Sequence, residues 1–291
     1  MRCVLKLTLR LFVFLLAALS IAAAGVPASQ HVVVVVEENH GYDQVVGSPS
    51  MPYLNSLVGQ YGLAMQYYAN THPSIGNYFM MTVGQIITNN DGYTGQVTDD
   101  NLVRHLLSAG KTWKSYAESL PYVGYIGGDT GLYIRHHNPF TYLSDVQDSQ
   151  VQKNNLVPFT QFSSDLANNA LPEISFVIPN RDDDAHDGTL LQADTWLRNN
   201  IAPLLSNHAF QEDGILIVVF DEAQTSDGTH GGGHIATVVI GPKVIHNGRS
   251  FILHQHQSLL RTICEAVGLT SFPGLASSTN DMSELFRASG N

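Results

Sequence analysis

The chain has 291 residues, 44% of them hydrophobic and 13% charged, which is enough apolar content for one large packed domain and excludes disordered or fibrous classes. Its 25 acidic and 14 basic side chains give a net charge of −11, which excludes a basic surface or scaffold for nucleic acid. A small anionic substrate is still compatible if the site brings its own local positive charge, most economically a divalent metal.

Residues 1–24 carry Arg2, Lys6 and Arg10 ahead of an apolar run from Leu11 to Leu19 and then small residues, the pattern of a secretory signal. Cleavage after Ala24 or Ala28 leaves 11 basic against 25 acidic side chains, a net charge of −14. The expected product is a secreted or periplasmic protein with no stable membrane insertion, because the apolar run is short for a full span. Cys3 falls in the signal and Cys264 in a late apolar stretch, so the mature chain forms no internal disulfide and Cys264 reads as a small buried hydrophobe.

His31 to Val36 is a continuous β-branched run, which suits a strand buried on both faces of a parallel sheet. Ile174 to Ile178, Gly214 to Phe220 and Ile235 to Ile240 read the same way. Between them helical patterns run over Met51 to Tyr61, Ser74 to Val83, Asn101 to Ala109, Phe159 to Asn168, Leu190 to Asn207 and Gln255 to Val267, with a short helix at Asp281 to Arg287. The alternation predicts an α/β three-layer sandwich with a mostly parallel central sheet, folded as a single domain over residues 25–291. The stretch 84–155 is rich in Gly, Asn, Asp, Tyr and Gln with weak periodicity, and is expected to form a loop-rich cap.

Ligands of such sheets gather at the carboxyl ends of the strands. The first run is followed by Glu37, Glu38, Asn39 and His40, the second by Asn180, Asp182, Asp183, Asp184, His186 and Asp187, and the third by Asp221 and Glu222; GGGH, ending in His234, enters the fourth. One acidic pair after a strand is usually a loop start or helix cap, but three together make a mixed oxygen and nitrogen set suited to a divalent metal. Ser74, opening a helix after His72 and Pro73, is either a plain N-cap or a hydroxyl nucleophile where helix N–H groups receive phosphate. The strand-end carboxylates favour the nucleophile.

In this order, VVVVVEENHGYDQVVG, PYLNSLVGQYG, YYANTHPSIGNY, RHHNPF, VIPNRDDDAHDG, VVFDEA and GGGHIATVVIGP resemble the phosphoesterase family of acid phosphatases and phospholipases C, within the alkaline phosphatase superfamily. The resemblance runs from about His31 to Gly268 and is nearer the short acid-phosphatase branch. It implies an alkaline-phosphatase-like fold and one or two divalent ions, with Zn, Ca, Mg and Mn undistinguished. It further implies metal ligation by Glu38, Asn39, Asp184, Asp187, Asp221, Glu222 and His234, and catalytic roles for Ser74, His137 and His186. Thr71 is a rival nucleophile, and Gly76 stands where the family commonly has proline.

The implied activity is hydrolysis of a small phosphoester, with Ser74 carrying a phosphoseryl intermediate and imidazoles protonating the leaving group at mildly acid pH. A phosphodiesterase or phospholipase C would use the same core, with Tyr93, Tyr116, Tyr122, Tyr125, Tyr133 and Phe140 either holding a lipid or nucleoside group or simply packing the cap. A sulfatase is disfavoured, since no Cys or Ser precedes a Pro-x-Arg pattern. A different class, an exported calcium-binding protein without catalysis, would use DDDAHDG and need no Ser74.

Overall fold

The computed structural model describes residues 25–288, so the segment read as an export signal, with Cys3, lies outside the described residues. The strands are β1 Val32–Glu37, β2 Gly62–Ala64, β3 Trp113–Ala117, β4 Leu156–Pro158, β5 Ile174–Ile178, β6 Ile215–Phe220, β7 Thr237–Ile240 and β8 Arg249–Ser250. They form one eight-stranded sheet in the order β4-β3-β5-β1-β6-β7-β2-β8. The five strands from β4 to β6 run parallel, and β1 lies between β5 and β6 with Val32 opposite both Ile174 and Ile215. Every residue of β1 is buried, as its unbroken β-branched run requires of a strand covered on both faces.

Strand β7 runs antiparallel to both β6 and β2. Between β6 and β7 the chain forms only a short 3₁₀ turn at Thr229–Gly231, and without a crossover helix it returns in the reverse direction. The expected long helix at 190–207 ends at Asn200 and is followed by a separate turn, Ala202–Leu205. Pro203, which can donate no backbone hydrogen bond, is the second residue of that turn.

Part of the expected cap belongs to the scaffold instead. Within 84–155 the chain forms the helix Leu102–Ser108 and strand β3, which inserts between β4 and β5. Its sequence, WKSYA, hides the strand because polar side chains on it are satisfied by other side chains: Lys114 pairs with Asp165, and Ser115 Oγ donates to Asn138 Oδ1 at 2.9 Å. The remainder of the stretch, with 3₁₀ turns at Arg135–His137 and Pro139–Tyr142, is the loop-rich part.

Helices cover both faces. Ile75–Thr82 packs with His256–Ala266, and Pro52–Val58 packs with Leu190–Asn200. Among the described residues no helix is long and apolar enough to cross a membrane. Cys264 is buried and free, and burial pushes its thiol pKa up.

Candidate active site

The adjacent strands β5, β1 and β6 end side by side, and the loops that follow are stitched together past the last ladder pair. Glu38 N–H donates to the Asp184 carbonyl at 2.8 Å, and Asp221 N–H donates to the Glu37 carbonyl at 2.9 Å. A buried tether adds to this: His256 Nε2 lies 2.6 Å from the Asp221 carbonyl, and Tyr67 hydroxyl 3.3 Å from His256 Nδ1. These bonds fix three acidic residues of distant sequence positions in one place.

Strand alternation sends Glu38 and Glu37 to opposite faces of the sheet. Glu38 enters a group with His137 and Asp184 in which one donor atom from each lies within 4.8 Å of the others, all three side chains buried. His137 Nε2 is 3.4 Å from Glu38 Oε1, and its Nδ1 is 3.3 Å from Asp184 Oδ2. Both His137 nitrogens, Asp184 Oδ2, Asp221 Oδ2 and Asn39 Oδ1 are buried without a hydrogen-bond partner. Two buried carboxylates and a neutral imidazole grouped this closely, with unpartnered oxygens on Asn39 and Asp221 in the adjoining loops, are a donor set that fits a divalent cation.

Ser74 stands beside this group. It is 4% exposed, its side chain caps no backbone amide, and its Oγ donates to Glu38 Oε2 at 3.2 Å. The N-cap alternative therefore fails for the side chain itself. Thr71 turns the other way, its hydroxyl donating to the His72 carbonyl at 3.1 Å, so Ser74 is the hydroxyl aimed at the carboxylates.

Electrostatics agree with a site built for a cation. Burial first, then the Asp221 and Asp184 charges, drive the Glu38 pKa well above the usual carboxylate range. Burial raises Asp184 to about 8, Asp221 to about 6 and Glu222 to about 10, the last with help from Asp221 and Asp91. Burial lowers His137 to about 3, with His186 adding to the effect, and a neutral imidazole is the form that ligates metal. On the opposite face burial also pushes Glu37 well up, ahead of the Asp184, Asp183 and Asp194 charges, and its carboxyl oxygens have no partner.

The other expected site residues divide. Asn39 adopts a left-handed φ of 53°, which lets its N–H reach Asp221 Oδ1 at 3.2 Å while its amide oxygen stays free. Glu222 flanks the group, accepting from Asn77 Nδ2 at 3.2 Å and facing His72 Nδ1 at 3.1 Å. Asp187 stays out of it: half-exposed, it pairs with Arg181 and with His186 Nδ1. His186 lies at the rim, its ring 5.7 Å from that of His137.

His234 is also placed elsewhere. Its Nε2 lies 3.1 Å from the Met65 carbonyl, and its ring stacks between Tyr42 and Tyr68 at 4.3 and 4.8 Å. The glycines before it serve close packing. A Cβ at Gly232 would come within 2.4 Å of the Thr71 carbonyl, so the run lets its backbone lie directly against the segment that delivers Ser74. DDDAHDG is tied to protein partners: Asp183 accepts from Asn180 and Gln192, and Asp187 pairs as above. Of the aromatic side chains weighed for a leaving-group pocket, Tyr116, Tyr133 and Phe140 are fully buried packing, and Tyr122 is exposed.

Tyr78 was not singled out by the sequence. It lies four residues after Ser74, one helical turn on and on the same face, a spacing that points to it in retrospect. Its hydroxyl donates to Glu38 Oε1, and its ring stacks on His137 at 5.3 Å and 11°. Tyr78→Phe is expected to weaken divalent-metal binding roughly tenfold by loosening two of the three grouped side chains, as measured by isothermal titration; unchanged affinity would show that Glu38 and His137 are held without it.

Comparison with known proteins gives the family and the fold. The family model described as the Phosphoesterase family matches residues 48–270. A phosphatidylinositol-3-phosphatase of Mycobacterium tuberculosis is 35% identical over 251 residues, covering 86% of this chain and 80% of that protein. An acid phosphatase of Aspergillus fumigatus is 31% identical over 247 residues, covering 80% of this chain and 54% of its own length. The chain thus spans about half of that fungal relative. The fold is shared with a lipoteichoic acid synthase of Listeria monocytogenes, at a TM-score of 0.63 and 11% identity over 92% of this chain and 78% of that one. A solved member of the alkaline phosphatase superfamily from Vibrio parahaemolyticus gives 0.60 and 14% over 88% and 72%. With a buried serine set among strand-end carboxylates and a family match across most of its length, this chain belongs to the phosphoesterase family and is a phosphoric ester hydrolase.

Proposed function

We propose that the chain is an exported, metal-dependent phosphomonoesterase that works through a phosphoseryl intermediate on Ser74. The observation that carries this reading is the buried Ser74 hydroxyl donating to Glu38 Oε2 at 3.2 Å, inside a group of carboxylates and a neutral imidazole. Relatives named acid phosphatase and phosphatidylinositol-3-phosphatase support a monoester substrate. Export rests on the basic and apolar pattern of residues 1–24.

Glu38, His137 and Asp184, with Asn39 and Asp221 alongside, are the residues that would hold the metal. A divalent ion there supplies positive charge that favours the serine alkoxide and offsets charge on the phosphoryl oxygens. Ser74 Oγ gives its proton toward Glu38 and attacks phosphorus; the Oγ–P bond forms as the ester P–O bond breaks. His186 is the proton donor to the leaving alkoxide: Asp187 engages its Nδ1 at 2.8 Å, and its position at the rim leaves the ring accessible. Water then hydrolyses the phosphoserine, restoring the hydroxyl and releasing phosphate.

The test is a comparison of p-nitrophenyl phosphate with its bis ester and its choline ester, run on chelator-treated protein before and after adding Zn, Mn, Ca or Mg. The monoester is expected to be the best substrate and turnover to return only with metal. Turnover confined to the diesters would reassign the enzyme to phosphodiesterases, and full activity after chelation would remove the metal from the mechanism.

A further inference from the structure

A carboxylate from outside the acidic group sits on the first amide of the helix that carries the nucleophile. The N–H of Ile75, the residue after Ser74, donates to Asp91 Oδ1 at 3.1 Å. A main-chain N–H one residue beyond an attacking hydroxyl, at a helix start, is a donor suited to an oxygen of the transferring phosphoryl group. Here that donor is occupied by the chain's own negative charge.

Gly76 explains how Asp91 reaches it. A Cβ at this position would come within 2.5 Å of both Asn89 Oδ1 and Thr71 Cγ2, and 3.4 Å from Ile86. The bare backbone therefore leaves a notch into which the segment 86–91 settles. That segment braces itself: Asn90 N–H donates to Thr88 Oγ1 and Gly92 N–H to Asn90 Oδ1, each at 3.1 Å, and Tyr93 N–H to the Asn90 carbonyl at 2.8 Å. The partly exposed Asp91 side chain can leave Ile75 without undoing these bonds. Its charge also reaches two neighbouring groups, raising the pKa of Glu222 and opposing the burial that lowers His136.

We propose that Asp91 is a specificity-determining residue that occupies a phosphoryl-oxygen seat beside Ser74, is displaced by substrate, and so weakens binding of doubly charged monoesters more than of singly charged diesters. The inference rests on the phosphoester reading above. Displacement costs every ester the Ile75 hydrogen bond held by Asp91, and the nearby carboxylate adds a repulsion that grows with the charge of the incoming group.

The experiment measures KM for p-nitrophenyl phosphate and its bis ester, and inhibition by inorganic phosphate, in the metal-loaded enzyme and in Asp91→Asn and Asp91→Ala. It is run at about pH 7, where phosphate monoesters are largely dianionic. Both substitutions are expected to lower the phosphate Ki and the monoester KM roughly three- to tenfold. Asp91→Ala should have the larger effect, since the Asn amide oxygen still accepts from Ile75, and the bis-ester KM should move by less than the monoester KM. A phosphate Ki that is unchanged or higher in both variants overturns the proposal, as does an equal shift for the two esters. An unsubstituted enzyme that turns over normally beside unmoved variants sinks only the Asp91 role; one that hydrolyses no ester and binds no phosphate sinks the phosphoester reading and this role with it.

Discussion

Ser74→Ala is expected to lower kcat for phosphate monoesters by roughly 10⁴-fold or more while the bound metal content stays at the unsubstituted level. The expectation follows from the direction of one side chain. Ser74 Oγ is buried and points to Glu38, whereas nothing else in the group offers a hydroxyl in a position to attack. Tyr78 is bonded to Glu38 through its own proton, and burial with the neighbouring carboxylates holds its pKa well above the ordinary phenol value, which keeps it protonated. Thr71 is turned to a backbone carbonyl. Removing the hydroxyl leaves Glu38, His137 and Asp184 in place, so metal retention by mass spectrometry separates loss of the nucleophile from loss of the site. A Ser74→Ala enzyme of near-normal rate, with Thr71→Ala inactive, would move the nucleophile to Thr71.

The second large effect is a reversal of pH-dependent stability by metal. Asp184, with a folded pKa of about 8, and Asp221, at about 6, bind protons more tightly in the folded chain than at the ordinary aspartate value of 3.8. Glu37 and Glu38 are displaced in the same direction. Their contribution is present below the unfolded pKa and is lost as pH rises through the folded one. Metal-free protein is therefore expected to melt progressively lower between about pH 4 and 8. A divalent ion takes the place of those protons, so its stabilisation grows over the same interval, and binding should release protons. Thermal melts at several pH values with chelator and with metal check this; a metal-free melting temperature that rises steadily from pH 4 to 8 would contradict it.

Much of this site is legible in the linear sequence because a parallel sheet puts chemistry at strand ends. The HVVVVV, ISFVI and GILIVVF runs locate three adjacent strands, and the loops after them lie together: Glu38 groups with Asp184, Asp221 bonds the Glu37 carbonyl, and Ser74 bonds Glu38. What stayed hidden depends on direction and not on residue type. A histidine after a glycine run looks like a ligand, yet the ring of His234 is held by Tyr42, Tyr68 and a carbonyl, because its backbone enters β7 beside Gly41 and not beside Asn39. Asp187 follows His186 by one residue and so turns to Arg181 at the surface. Strands β2, β4 and β8 have three residues or fewer, too short for any periodicity to register. Tyr78 and Asp91 act through contacts, the first to Glu38 and His137 and the second to Ile75, that exist only once the chain is folded.

The most direct measurement is capture of the covalent enzyme. Metal-loaded protein mixed with a phosphate monoester, quenched in acid within the first turnover and digested, is expected to show the mass of one phosphoryl group on the peptide containing Ser74, absent from Ser74→Ala. Productive turnover with no phosphorylated peptide, or with the phosphoryl group on another residue, would contradict a reaction in which that buried hydroxyl attacks phosphorus.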